Sequence, residues 1–321
     1  MFQQNTPTLV LPESIERLIG KLGPKESCTP SELAEIVLAC NIQAEELMEF
    51  TDFDHSPDES YGKTLLYKGD NFEVVLLSWS AGDFSCIHNH GISEWGVVKV
   101  FGELEHRTFD IQRNFMRTES IVHFNSGVIS TIDESLIHQM GNPTDRNIIS
   151  LHIYGLNQYA PKVTQDSKLY DLTSGMVLKT DGGAFYEADL RSVTLTDDLV
   201  YGDYPTWLNN LVHQIDRIKA MGEFSRLKDL LYSLRSTDHC DRLNDYLNDK
   251  LDEEGRFKSK NEEKIFGTAV LGLGRLIKDY PEYNRKLNLS IQADRFKSVY
   301  IIHVDDRQLI LDYSHDKLVL S

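Results

Sequence analysis

Cysteine, basic residues and long apolar runs are all scarce in this chain, and each shortage removes a class of protein. The four cysteines, Cys28, Cys40, Cys86 and Cys240, form neither a CxxC pair nor a dense framework. That excludes a disulfide-stapled scaffold and points to a reducing, cytoplasmic compartment. No apolar run nears the roughly 20 residues a membrane span needs. The opening MFQQNTPTLVLPES carries no basic n-region or cleavage pattern, so neither a membrane helix nor a leader is expected. With 33 Lys+Arg against 50 Asp+Glu the formal charge is −17. A nucleic-acid binder would need the opposite balance to neutralise phosphates, and adhesion to anionic membranes is disfavoured for the same reason. Internal repeats and low-complexity tracts are also missing.

What is present suffices for a globular protein. Apolar residues make up 40% of the chain and aromatics 10%, enough to build a core and to exclude global disorder. A length of 321 residues suggests two domains, at roughly 150 residues each.

The hydrophobic period divides the chain into three regimes. Ile15, Leu18, Ile19 and Leu22 form a helical stripe that stops at Gly23-Pro24. Thr29-Pro30-Ser31-Glu32 opens a second helix, with proline in the first turn where its missing donor costs nothing. Its buried face is Leu33, Ile36, Val37 and Cys40, and a third short helix is expected over Ala44–Phe50. From Tyr61 to about Val193 the period becomes two. Strands are expected at Phe72–Trp79, Cys86–His90, Trp95–Phe101, Leu104–Phe109, Ser120–Phe124, Val128–Ile132 and Ile148–Tyr154. Short strands parted by Gly, Asn and Asp read as an antiparallel sandwich or small barrel. Beyond about residue 200 helices return at Trp207–Met221, Phe224–Leu234, Cys240–Leu251 and Lys264–Lys278. The mixed charges of Asp249–Lys264 suit a solvated linker or helix face. Strand-like pieces at Val299–Val304, Leu309–Tyr313 and Leu318–Leu320 close the chain.

The sharpest feature is Gly82-x5-His88-Asn89-His90. Histidines at i and i+2 of a strand share a face and can converge on one ion, whereas in a helix they would diverge. Downstream, Gly127-x5-Asp133-x-Ser135-x2-His138-x3-Asn142 supplies a third histidine. Three neutral nitrogens on one side of a metal leave the other side open, which suits catalysis better than a closed structural site.

These two elements resemble the two motifs of the cupin superfamily, the first running on to Gly102 and the second carrying Asp133 and Ser135 in place of the usual Pro and Gly. More narrowly, residues of about 10–190 resemble the cysteine dioxygenase family. The matching stretches are Leu76-Leu77-Ser78-Trp79, Ile87-His88-Asn89-His90, Val98 to Leu104, and Ser150-Leu151-His152-Ile153-Tyr154. The resemblance implies a mainly β cupin fold, a double-stranded β-helix or jelly-roll barrel with N-terminal helices, over 1–195. Residues 196–321 are then a mainly helical C-terminal domain that ends in short strands and has no chemical motif of its own.

The resemblance further implies mononuclear Fe(II) held by His88, His90 and His138. Most cupins add a glutamate ligand after HxH, which this family lacks; Glu94 follows His90, but the position counted back from Gly102 falls on Trp95. Animal members crosslink a cysteine there to the active-site tyrosine, and with Trp95-Gly96 no crosslink is expected. Ser150, His152 and Tyr154 alternate along one strand face, with Ile149, Leu151 and Ile153 on the other; in the family this row supports a tyrosine that reaches the substrate. A Ser-His-Asp hydrolase is disfavoured, because the serine lacks a strand-to-helix elbow. Lys63, with Tyr61 nearby, stands where the family has a carboxylate-binding arginine, and lysine keeps the charge but loses the bidentate fork. Trp79 is read as core supporting the pocket and Cys86 as packing. His55, His106, His123, His213, His239, His303 and His315 are read as surface or core histidines.

The expected activity is addition of both atoms of O2 to the sulfur of a small thiol carboxylate, cysteine or 3-mercaptopropionate-like. No nucleic acid or membrane partner is expected. Two alternatives stand beside it: a three-histidine iron oxygenase acting on another chelating substrate, and a non-catalytic metal-cupin sensor.

Overall fold

The computed structural model describes residues 10–180, 183–187, 193–234, 237–253, 256–281, 290–294, 299–304 and 307–312. The chain divides into two compact units. The first comprises Met1–His106, Val122–Leu169 and Leu178–Thr194, and the second Arg107–Ile121, Tyr170–Val177 and Leu195–Ser321.

The first unit opens with helices α1 (Glu13–Leu22) and α2 (Pro30–Cys40) and a 3-10 turn at Glu45–Phe50. Thr29 caps α2 as expected: its hydroxyl accepts from the Glu32 N–H at 3.2 Å, and the Glu32 carboxylate accepts from the Thr29 N–H at 2.9 Å. This reciprocal capping box satisfies two donors that would otherwise be orphaned. Ile15, Leu18, Leu22, Leu33 and Val37 are all buried, each burial stabilising by about 1.5–3 kcal/mol.

Those side chains rest on a five-stranded antiparallel sheet. Its members are β1 (Gly62–Lys68), β2 (Phe72–Trp79), β4 (Trp95–Val100), β7 (Ile129–Asp133) and β9 (Ile148–Gly155), in the order β1-β2-β9-β4-β7. Strand alternation gives this sheet two different faces. Val74, Leu76, Val97, Ile149, Leu151 and Ile153 pack with the helices. Val75, Leu77, Trp79, Val98 and Val100 form a second core with Leu104 and Met140. To a second sheet the first unit contributes, in sheet order, the start of β12 (Val193–Leu199), the end of β11 (Met176–Thr180), the start of β10 (Ser167–Asp171), β3 (Ile87–His88), β8 (His138–Gly141), the start of β5 (Leu104–Gln112) and the end of β6 (Phe115–Phe124). The two sheets face each other across the second core, the double-stranded β-helix arrangement that the motifs imply.

The motif glycines and Asn142 tie this barrel together. Gly82, at φ +83°, turns the chain; its N–H donates to the Asn142 carbonyl at 3.1 Å, and the Asn142 N–H donates to the Asp83 carbonyl at 2.8 Å. The fully buried Asn142 amide donates to the carbonyls of Trp79, Ser80 and Arg146.

In the second unit α3 (Tyr204–Ala220), α4 (Phe224–Ser233), α5 (Thr237–Lys250) and α6 (Lys260–Asp279) follow the expected helices within a few residues. Asp203 caps α3 by accepting from the Thr206 N–H at 3.2 Å. An antiparallel three-stranded sheet follows, including Val299–Val304 and Arg307–Asp312; the expected strand at Leu318–Leu320 lies outside the described residues. Among the described residues no helix is long and apolar enough to cross a membrane.

Candidate metal centre and substrate pocket

Sheet register brings the first and third histidines together. In the antiparallel pair β3·β8, His88 stands opposite His138, and their Nε2 atoms are 3.1 Å apart. The sequence reading carries the strand through His90, but pairing stops at His88. His90 reaches the cluster from the turn that follows. Gly91 makes that turn at φ +60°, and a Cβ on it would lie 1.9 Å from the Gln165 carbonyl oxygen, so the turn has room only for glycine. The His90 ring lies 4.7 Å from that of His138 and 5.3 Å from that of His88. One nitrogen from each residue falls within 4.8 Å of the others.

Burial sets the protonation of this cluster. It lowers the pKa of His88 to about 4, and those of His90 and His138 well below the ordinary histidine value, so all three are neutral at pH 7. His88 Nδ1 lies 2.9 Å from the Cys86 carbonyl. A carbonyl only accepts, so the proton sits on Nδ1 and Nε2 presents a lone pair. Both ring nitrogens of His90 are buried without a hydrogen-bond partner. An unmet buried polar group costs about 1–3 kcal/mol, and a bound cation would remove that cost. The donor set therefore fits a metal held on one side by three neutral imidazoles. The Glu94 carboxylate accepts from the Asn157 backbone N–H at 2.5 Å. Among the described residues, the cluster with ligand spacing holds no carboxylate.

The Ser150/His152/Tyr154 row lines the inner face of β9, as the alternation requires. Ser150 Oγ is 2.8 Å from His152 Nε2, and His152 Nδ1 is 2.8 Å from the Tyr154 hydroxyl. The Trp79 indole donates to Ser150 Oγ at 2.8 Å, which orients the whole row. An indole only donates, so Ser150 accepts from it, which leaves the serine's own proton free to turn to His152 Nε2. His152 is held neutral, with its pKa lowered to about 3 mainly by burial; with the serine proton on Nε2, its single proton is on Nδ1 and is donated to the Tyr154 oxygen. The phenolic O–H is then available to the pocket. Burial raises the pKa of that phenol, so it stays protonated, and its ring packs 5.0 Å from His90. Opposite Tyr154 on β4 stands Gly96, whose absent Cβ would lie 3.2 Å from the tyrosine ring. Trp95 points to the helix side and donates to the Asn157 side chain at 3.1 Å. The Trp95-Gly96 pair thus places no sulfur beside the tyrosine.

Lys63 and Tyr61 enter the same pocket, with His88, His90, Tyr154, Val75, Leu77 and Asn89. Lys63 makes no hydrogen bond or ion pair with any described residue. Its side chain is exposed at the pocket, and partial desolvation by the protein around it lowers its pKa from the ordinary lysine value. The Tyr61 hydroxyl accepts from the Ala184 N–H at 2.8 Å, and its ring packs against Trp79 at 4.7 Å and Phe185 at 5.0 Å. Cys86 packs with Leu169 and Ala184, as expected, and carries no disulfide.

The sequence reading misses three parts of the site. His106, read as an isolated histidine, places Nε2 2.9 Å from His138 Nδ1. Trp79 is more than core, because its indole N–H heads the serine row. The far wall, with Thr164, Ser167, Leu169, Thr180 and Ala184, comes from segments without a motif. Of the other histidines, His55 pairs with buried Asp83 at 3.0 Å and His239 is buried, while His315 lies outside the described residues.

Residues 12–161 match the family model of cysteine dioxygenase type I. A cysteine dioxygenase type 1 from Danio rerio is 26% identical over 155 residues, covering 44% of this chain and 75% of that protein. A conserved protein with a double-stranded β-helix domain from Klebsiella pneumoniae shares 16% identity, covering 37% of this chain and 93% of its own at a TM-score of 0.30. An RmlC-like cupin from Desulfovibrio desulfuricans shares 19% identity, covering 35% of this chain and 96% of its own at 0.27. The three histidines, the Ser150/His152/Tyr154 row and Lys63 all fall inside the matched segment, and residues 12–161 therefore carry the pattern of the cysteine dioxygenase type I family.

Proposed function

We propose that the chain is an Fe(II)-dependent thiol dioxygenase acting on a small thiol carboxylate, cysteine or 3-mercaptopropionate-like, and giving its sulfinic acid. The observation that carries this reading is the meeting, in one pocket, of three neutral imidazoles, an unpaired lysine and an oriented tyrosine hydroxyl. Iron, held by His88, His90 and His138, would supply the redox-active site at which thiolate and O2 react. Sulfur loses four electrons and O2 gains four, so the reaction needs no outside reductant.

The protein groups have separate tasks. Lys63 holds the substrate carboxylate, with the Tyr61 ring packed beside it. Tyr154 donates its hydroxyl proton to the bound substrate, and Trp79, Ser150 and His152 keep that proton aimed. Val75, Leu77 and Leu169 line the pocket with hydrocarbon and limit water around the sulfur. A ligand set without carboxylates leaves the full metal charge in place, which favours a thiolate at neutral pH. Residues 1–195 are the proposed catalytic domain, working in the cytoplasm without nucleic acid or membrane.

The test is oxygen uptake by iron-loaded protein with cysteine, 3-mercaptopropionate, cysteamine and homocysteine. Uptake no higher than in a metal-free control with all four would reject the reading. A lysine in place of the family's arginine, and a far wall outside the matched segment, favour one alternative: oxidation of another chelating acid. Product analysis separates the two, because only the first forms a sulfinate.

A further inference from the structure

We propose that His106 is a positioning residue of the metal centre, accepting the Nδ1 proton of His138 and so presenting His138 Nε2 as the ligand atom. This rests on reading His88, His90 and His138 as metal ligands.

The three imidazoles are held in three different ways. His88 is oriented by the Cys86 carbonyl at 2.9 Å, and both nitrogens of His90 are without a partner. Of the three, His138 alone has a ring nitrogen at hydrogen-bond distance from a side chain outside the cluster, with its Nδ1 2.9 Å from His106 Nε2. His106 sits on β5, the neighbour of β8 in the sheet. It is 8% exposed and nearly perpendicular to His138, at 80° with centroids 5.1 Å apart. The Phe124 ring packs on it at 5.0 Å and 30°. Its plane is thus fixed by packing, and its edge is aimed at His138.

Proton placement follows from the chemistry of the ring. A neutral imidazole has one N–H and one lone pair. A metal on His138 Nε2 requires the lone pair there, so the proton must be on Nδ1, facing His106 Nε2. That atom must then accept, and the proton of His106 sits on its own Nδ1. The metal-competent state thus selects matched tautomers in two histidines in series. No proton is gained or lost overall.

The usual partner of a metal-bound histidine is a carboxylate, a backbone carbonyl or water. An imidazole gives the same orientation without adding negative charge. Together with the all-imidazole ligand set, it keeps the full metal charge available to an anionic substrate.

The experiment uses the full chain with Co(II) as probe. Affinity is measured by competition with a chelating dye for the wild type, H106L and H106Q. Loss of such a partner weakens metal binding about 10–100-fold, which is the effect expected for H106L. The amide oxygen of H106Q can accept the same proton, so that variant should bind close to wild type. In the paramagnetic proton spectrum of the wild-type Co(II) protein, the His138 Nδ1–H should be a slowly exchanging, strongly shifted signal, lost or accelerated in H106L.

Equal affinity in H106L and wild type would overturn the proposal. So would an equal loss in H106Q, which would mark a packing role. Should H106L not fold, the wild-type spectrum still decides, since absence of the protected signal rejects the hydrogen bond. Failure of the wild type to bind one Co(II), or full retention by His138→Ala, would instead overturn the ligand assignment, and this inference with it.

Discussion

On the proposed reading, substrate choice turns on Lys63. It lines the pocket, unpaired among the described residues, and stands 25 positions before His88, with no spacing rule connecting the two. Its family position alone made it a candidate, and the fold brings it to the same pocket. Charge-assisted hydrogen bonds contribute about 1.5–3 kcal/mol. Lys63→Met should therefore lower kcat/KM for a thiol carboxylate about 10–100-fold, with far less effect on cysteamine, which has no carboxylate. Steady-state oxygen uptake with both substrates checks this. At the head of the serine row, Trp79→Phe keeps an aromatic ring and removes only the indole donor. Loss of one neutral hydrogen bond, worth about 1 kcal/mol, should lower kcat about fivefold while leaving Co(II) affinity unchanged. A change in metal affinity would show that Trp79 acts on the metal site instead.

At the scale of elements, alternation made the two faces of β9 readable from sequence. Ile149, Leu151 and Ile153 face the helices and Ser150, His152 and Tyr154 the interior, as a period of two demands. The reading fails where hydrogen bonding, and not hydrophobicity, ends an element. β3 stops two residues before His90, because the backbone there turns at Gly91 against the Gln165 segment. His106 is not legible from spacing for a related reason: its partner is 32 positions away and meets it only through strand neighbours. Gly155 shows how tightly the element ends are packed. A Cβ there would lie 2.0 Å from the buried Trp95 ring, so Gly155→Ala should destabilise by about 1–3 kcal/mol through overpacking. Urea denaturation of the metal-free protein measures this, and an unchanged midpoint would mean that the indole moves aside freely.

For the whole molecule, buried neutral histidines predict acid sensitivity. The pKa of His152 is lowered to about 3 and that of His239 to about 4, both chiefly by burial. Each is unprotonated in the folded state, whereas the unfolded chain takes up a proton below about 6.5. The unfolded state therefore binds more protons, so stability is fully present above pH 6.5 and falls as the pH drops toward 4. Each such group contributes a slope of about 1.4 kcal/mol per pH unit within that window. Denaturant midpoints at pH 7.5, 6 and 5 should decline accordingly, and the decline should lessen in His239→Phe. A flat profile would contradict the assigned neutral state.

Local patterns alone determined the helical entry, the strand-rich middle, the helices that follow and the candidacy of His88, His90 and His138 as metal ligands, because period and short-range spacing are properties of neighbouring residues. The proton direction along Trp79, Ser150, His152 and Tyr154, the support of His138 by His106, and the far wall of the pocket were decided by tertiary structure. These depend on which distant strands become neighbours and which side chains lose water on burial. Neither is written in the spacing of residues along the chain.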